Sequence, residues 1–148
     1  MKNVIKLAAI VLAVVFVGCS DSDSDNLGGI ANTPLKGKVH GTSFVAQGGK
    51  AFVSGNNLSI NITNVTADCN SSILDYTLYI STSVENKVAS TTKANVVFNK
   101  KGETPLNVLN SEVTIESLTS NEVKVKIKST SSTSKNTLEG TFTVPFCK

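Results

Sequence analysis

The chain has no tryptophan and no arginine, one histidine and one methionine in 148 residues. Without arginine there is no planar fork to hold a phosphate by two parallel hydrogen bonds. With no tryptophan and only two tyrosines, little is present on which a base or a sugar ring would stack. From Asn26 onward 12 lysines face 8 acidic residues, a surplus of 4, which is not the charge footprint of a nucleic-acid binder. The sequence has no Gly-x-Ser-x-Gly elbow, His-Glu-x-x-His, Walker loop or Gly-x-Gly-x-x-Gly turn. No aromatic platform flanks a carboxylate of the kind that glycoside chemistry uses. These absences point away from an enzyme: the expectation is no catalytic residue, no metal, no cofactor and no nucleic-acid partner.

What is abundant is small and polar. Ser, Thr and Asn number 18, 16 and 15, about a third of the chain, which suits extended strands joined by polar turns. The apolar residues follow a period of two. Leu58, Ile60 and Ile62 alternate with Ser59, Asn61 and Thr63, and Leu74, Tyr76, Leu78 and Ile80 with Asp75, Thr77, Tyr79 and Ser81. Val113 and Ile115, then Val123, Val125 and Ile127, then Leu138, Phe142 and Val144 repeat the pattern. Lys38–Val45, Ala51–Val53 and Ala94–Asn99 are shorter, less regular candidates, and Gly48-Gly49, Gly55-Asn56-Asn57, Lys101-Gly102-Glu103 and Ser120-Asn121 read as turns. About eight antiparallel strands over residues 35–148, with one apolar face each, predict a single all-β domain, either a β-sandwich or a small β-barrel.

The N-terminus reads as an address. Two lysines in the first six residues precede an 11-residue apolar run, Leu7–Val17, too short for a comfortable membrane span but right for the helix of a secretory signal. The run ends in Phe16-Val17-Gly18-Cys19, which resembles the lipobox of bacterial lipoproteins, with Phe16 where Leu is usual. That resemblance implies a signal peptide over residues 1–18, cleavage before Cys19, and acyl chains on Cys19 that anchor the chain in a membrane. Residues 19–34 follow as the lipidated Cys and a flexible tether. The run Ser20-Asp21-Ser22-Asp23-Ser24-Asp25 resembles the surface-export signal of Bacteroidota lipoproteins. It implies the lipoprotein export machinery as a partner and an outer-membrane location, facing the cell surface. Read instead as a calcium loop, the same run puts Asn26 where the invariant Gly belongs and Asn32 where the bidentate Glu belongs.

With Cys19 acylated, Cys69 and Cys147 remain, and two cysteines in an exported chain point to a disulfide. Zinc would need two further ligands, with only His40 offering nitrogen, and a Cys–His nucleophile would need His40 beside one of the thiols. His40 itself reads as a solvent-facing strand residue beside a bulge at Gly41. Lys124, Lys126 and Lys128 share one strand face about 7 Å apart. They form either a ridge for a polyanion or an edge protected against pairing, with Glu116 and Glu122 near enough to pair with them. Tyr79 faces outward by alternation and Tyr76 inward, so a sugar site would lean on one ring.

Leu35-Lys36-Gly37-Lys38-Val39-His40-Gly41-Thr42-Ser43-Phe44, Gly48-Gly49-Lys50-Ala51 and the close Gly140-Thr141-Phe142-Thr143-Val144-Pro145-Phe146-Cys147 resemble a set of small Bacteroidota lipoproteins. The resemblance implies export, one β domain and a Cys69–Cys147 bridge, and brings no activity with it. The expected role is therefore a lipid-anchored outer-membrane domain that binds a partner or lines the surface. The alternative is a small-ligand carrier or an inhibitor of a secreted enzyme.

Overall fold

Among the described residues, nine strands form where the apolar and polar residues alternate. They are β1 Lys36–Val39, β2 Thr42–Val45, β3 Gly48–Ser54, β4 Asn57–Thr63, β5 Leu78–Glu85, β6 Thr92–Lys100, β7 Leu106–Leu118, β8 Glu122–Thr130 and β9 Thr137–Cys147. The structure, a computed structural model, describes residues 29–88 and 91–148; the signal segment, Cys19 and the tether up to residue 28 lie outside them. From β3 to β9 each strand pairs antiparallel with the next through β8 and β9. The exception is the step that closes the ring, where the C-terminal end of β9 lies parallel to β3. The domain is thus a closed seven-stranded barrel, not a sandwich, with β1 and β2 added outside the ring.

The closing seam is short. Only Ala51↔Phe146 and Phe52↔Cys147 pair across it. The opposite end of the same edge of β9 pairs with β1, through Lys36↔Glu139 to Lys38↔Thr137. Between the two, the chain at Thr33–Leu35 bonds to Thr141 through both its N–H and its carbonyl, at 2.7 and 2.9 Å. Gly140 allows that approach: its φ is 132°, and a Cβ would stand 2.5 Å and 2.7 Å from the Thr33 and Pro34 oxygens. The folded unit therefore begins earlier than the expected Leu35, since Ile30 is already buried.

Valine, isoleucine, leucine and phenylalanine fill the barrel interior. Leu58, Ile60, Ile62, Ile80, Val96, Phe98, Val125 and Ile127 expose no more than 1% of their surface. The β1–β2 hairpin supplies Leu35, Val39 and Phe44 to the same core, and β1 contacts β5 and β6 although it pairs with neither. It lies across one end of the barrel as a plug. Each such large side chain taken out of water contributes roughly 1.5–3 kcal/mol, so the plug is an integral part of the core. Polar groups that enter the core carry their own partners. The Thr63 hydroxyl donates to the Leu78 carbonyl at 2.8 Å, and the Ser111 and Ser129 hydroxyls meet at 2.6 Å.

Three local expectations differ. The residues from Leu74 to Thr77 are not the start of a strand: Ile73–Asp75 form a single 3₁₀ turn, with Ile73 buried and Leu74 exposed. The alternation there puts Leu74 and Tyr76 inward, whereas the turn buries Ile73 and leaves Leu74 exposed. Gly48 and Gly49 open β3 rather than form a turn, because the Val65–Ala67 backbone packs where a Cβ at Gly48 would stand. Lys38–Val45 is two strands, turning at His40-Gly41, where both residues have positive φ, 48° and 76°. Two such residues match the type I′ geometry favoured in two-residue hairpins.

Candidate functional site

Cys69 and Cys147 form a disulfide, with Cα atoms 5.5 Å apart. The bridge joins the long β4–β5 connection to the last residue of β9, beside the two-pair seam that closes the barrel. It thereby fixes both the seam and the loop that folds over the outer face of β3 and β4. The 3₁₀ turn is held there by Ile73, and by Lys50, whose ammonium donates to the Ser71 carbonyl at 2.7 Å.

A groove of about 830 Å³ opens between this loop, β3 and the end of β9. Phe52 and Val53 line it from β3, Phe146 from β9, and Ile73 and Leu74 from the loop, with the disulfide on its wall. Its polar side chains are Lys50, Asn61, Ser72 and Lys148, and among the described residues no acidic side chain lines it. The nearby Asp68 is taken up by its own turn, where its carboxylate accepts from the Asn70 N–H and the Ser71 hydroxyl, both at 2.9 Å. A smaller and more polar hollow of about 320 Å³ continues past Phe52 and Asn61 over the outer faces of β4–β6, lined by Ser59, Ser81 and Asn95. The buried Oδ1 of Asn95 has no hydrogen-bond partner. Leu74 also borders a third hollow, where Tyr76 and Tyr79 stand together. Tyr76 is thus half-buried on the outside rather than turned into the core, because the strand starts only at Leu78.

The lysine ladder lies where alternation placed it, outward on β8 over buried Val123, Val125 and Ile127. It is not a row of free charges. At a bulge in β7, Glu116 is the extra residue between the Ile115↔Val125 and Ser117↔Lys124 pairs. A bulge re-aims a side chain, and here Glu116 reaches Lys126 at 2.8 Å and Lys124 at 3.3 Å. Hydrogen bonding to Lys126 holds the Glu116 carboxyl below its ordinary value; Lys124 and Thr141 add to this against the opposing effect of burial. Lys128 pairs with Glu139 at 3.4 Å.

His40 departs from the expectation of a solvent-facing strand residue. It occupies the turn of the plug hairpin, and its side chain is 6% exposed. One ring nitrogen meets the Glu103 carboxylate at 2.7 Å and the other the Phe98 carbonyl at 3.1 Å. Its backbone N–H donates to Asn136 at 2.7 Å. The ring clips the plug to β6 and to the β6–β7 turn, with each nitrogen facing an oxygen of this chain. Hydrogen bonding to Lys100 lowers the Glu103 carboxyl below its ordinary value, and the bond to His40 adds to this. Among the described residues, no group of three or more His, Cys, Asp or Glu could hold a metal ion.

The sequence reading missed the groove. Phe52 carried the only signal, an aromatic at an outward position of a strand whose inward neighbour is Ala51. Residues from Asn64 to Ile73 have no period, and the alternation read from Leu74 onward pointed to a strand, so nothing announced that Ile73 and Leu74 would form the opposite wall. No family model matches the chain, and no curated protein or solved structure matches it either.

Proposed function

We propose that this chain is an exported, lipid-anchored β-barrel domain with a non-enzymatic binding role, and that it binds in the groove beside the Cys69–Cys147 disulfide. The observation that carries the binding role is the groove: a preformed, mostly apolar concavity with a few fixed polar groups, within the roughly 300–1,000 Å³ range of small-molecule sites. Because side chains fill the barrel interior and the hairpin plugs one end, a ligand would be held on the outer wall rather than inside. The engagement of both His40 nitrogens supports a role without acid–base chemistry.

The anchor rests on the Gly18-Cys19 junction and the Ser-Asp run behind it, which also favour the outer membrane and its outward face. The Lys124, Lys126 and Lys128 ridge contributes little to this reading as a polyanion site, since Glu116 and Glu139 already pair with it.

Native mass spectrometry of the domain released from its own envelope tests the binding role. The expected result is a mass two hydrogens short, plus added mass that leaves on denaturation and is missing from Phe52→Asp. A bare mass in both forms would overturn a small-ligand site. Metabolic labelling with palmitate tests the anchor: label on the wild-type chain and none on Cys19→Ala is expected, and equal labelling would sink it.

A further inference from the structure

We infer that the groove takes a single-chain amphiphile with an anionic head, of the fatty-acid class. This rests on the groove being the binding site and adds what it would recognise. The walls set the body of the ligand. Phe52, Val53 and Phe146 on one side face Ile73 and Leu74 on the other. Val53 remains 46% exposed and Leu74 73%, the latter the most exposed large apolar side chain among the described residues. Apolar surface left open in this way, next to a rigid staple, gains most from an apolar chain laid along it.

The charges set the head. Lys50 and Lys148 line the groove, and among the described residues no acidic side chain does. Elsewhere the outward lysines of β8, and Lys93 and Lys100 on β6, all have glutamate partners. Lys50 is also held in place: one N–H goes to the Ser71 carbonyl at 2.7 Å. An ammonium carries three donors, so two remain for a ligand, and their position is fixed before binding. A fixed cation at the edge of an apolar trough matches a carboxylate at the end of an alkyl chain. The groove, at about 830 Å³, suits one chain rather than a two-chain lipid.

The probes are decanoate and 1-decanol, which share a chain and differ in the head, titrated calorimetrically into the chain beginning at Ser20. That chain contains every strand and every buried residue described. Decanoate is expected to bind one to one and about tenfold more tightly than 1-decanol, the size of effect that a charge-assisted hydrogen bond gives. Lys50→Met should bring the two affinities together while leaving that of 1-decanol nearly unchanged. A merely structural loss at Lys50 would instead lower both and keep their ratio. Phe52→Asp should abolish both.

Equal affinities in the wild-type chain, or a ratio unaltered by Lys50→Met, would overturn the anionic head while leaving the groove as a binding site. Binding of neither probe would overturn the inference, and the native mass measurement then decides the groove by itself. Co-sedimentation with phosphatidylglycerol vesicles, without decanoate binding, would assign the surface to a bilayer and also overturn it.

Discussion

On the β7–β8–β9 wall every lysine of the ladder has a carboxylate partner, whereas around the disulfide Lys50 and Lys148 share a groove with phenylalanine and isoleucine and, among the described residues, no acidic side chain. The two walls belong to one barrel and rest on one core, so the difference does not come from the fold. It comes from what each strand is joined to. The lysine wall is made of long strands that follow one another in the chain, with nine consecutive residue pairs between β8 and β9. There the outward side chains meet one another across neighbouring strands and neutralise their charges locally. The groove wall sits where the barrel closes through two pairs, and an irregular loop stands off it. That arrangement leaves a concavity and needs a covalent staple. Regular pairing yields a self-sufficient surface, and the interruption of pairing leaves the concavity that we propose as the binding site.

Removing the staple should break this contrast most strongly. The bridge closes a separation of 78 residues, for which the loop-entropy model gives about 4 kcal/mol. Cys69→Ser with Cys147→Ser should therefore lower the thermal midpoint by roughly 10 °C or more. Hydrogen exchange should separate the walls. Protection is expected to fall at the β3–β9 seam and in the Asn64–Thr77 loop, and to hold in β7 and β8. Equal loss everywhere would mean that the disulfide serves the whole barrel rather than its groove wall.

Next in size is the loop's own anchor. Ile73 is 2% exposed and its neighbour Leu74 is 73% exposed. Ile73→Ala should cost about 2–3 kcal/mol, and Leu74→Ala less than about 0.5 kcal/mol. Urea unfolding of the two variants measures this. Similar costs would show that the turn is not seated on Ile73 and that the groove lacks a fixed second wall.

The residues that gave the fold away in the sequence are those whose surroundings repeat. Leu58, Ile60 and Ile62, or Val123, Val125 and Ile127, meet the same interior every second residue, and the pattern alone places them there. The two cysteines could be paired by elimination once Cys19 was set aside. What the pattern could not carry is contact between segments far apart in the chain. Barrel rather than sandwich is decided by two residue pairs between β3 and β9, some 95 positions apart, and such a short seam leaves no periodic trace. His40 was misread for the same reason: Glu103 and the Phe98 carbonyl, its partners, lie 63 and 58 positions away. The groove depends on Ile73 and Phe146 meeting over Phe52, a conjunction of three unrelated stretches.

The smallest effects belong to the charged wall, and they depend on pH. The Glu116 carboxyl is held below its ordinary value of 4.5 chiefly by the hydrogen bond from Lys126. The Glu112 carboxyl is lowered in the same direction, chiefly by its bond to Lys93. A carboxyl whose native value is depressed binds its proton more readily in the unfolded chain. Its stabilisation is therefore complete above about pH 4.5 and drains away as the pH falls through the lower native value. Glu116→Gln should cost about 1 kcal/mol at pH 7, since a partly exposed network is worth little more. The difference from wild type should shrink as the pH falls below 4.5 and through the lower native value. Urea titrations at pH 7, 5 and 3 measure this, and they sharpen the contrast because no Asp or Glu side chain among the described residues lines the groove. A binding site that keeps its shape while the opposite wall loses its ion pairs would show that the barrel lets its two faces respond separately. If the affinity of 1-decanol, whose head does not titrate, falls in step with Glu116 protonation, the walls are coupled through the core after all.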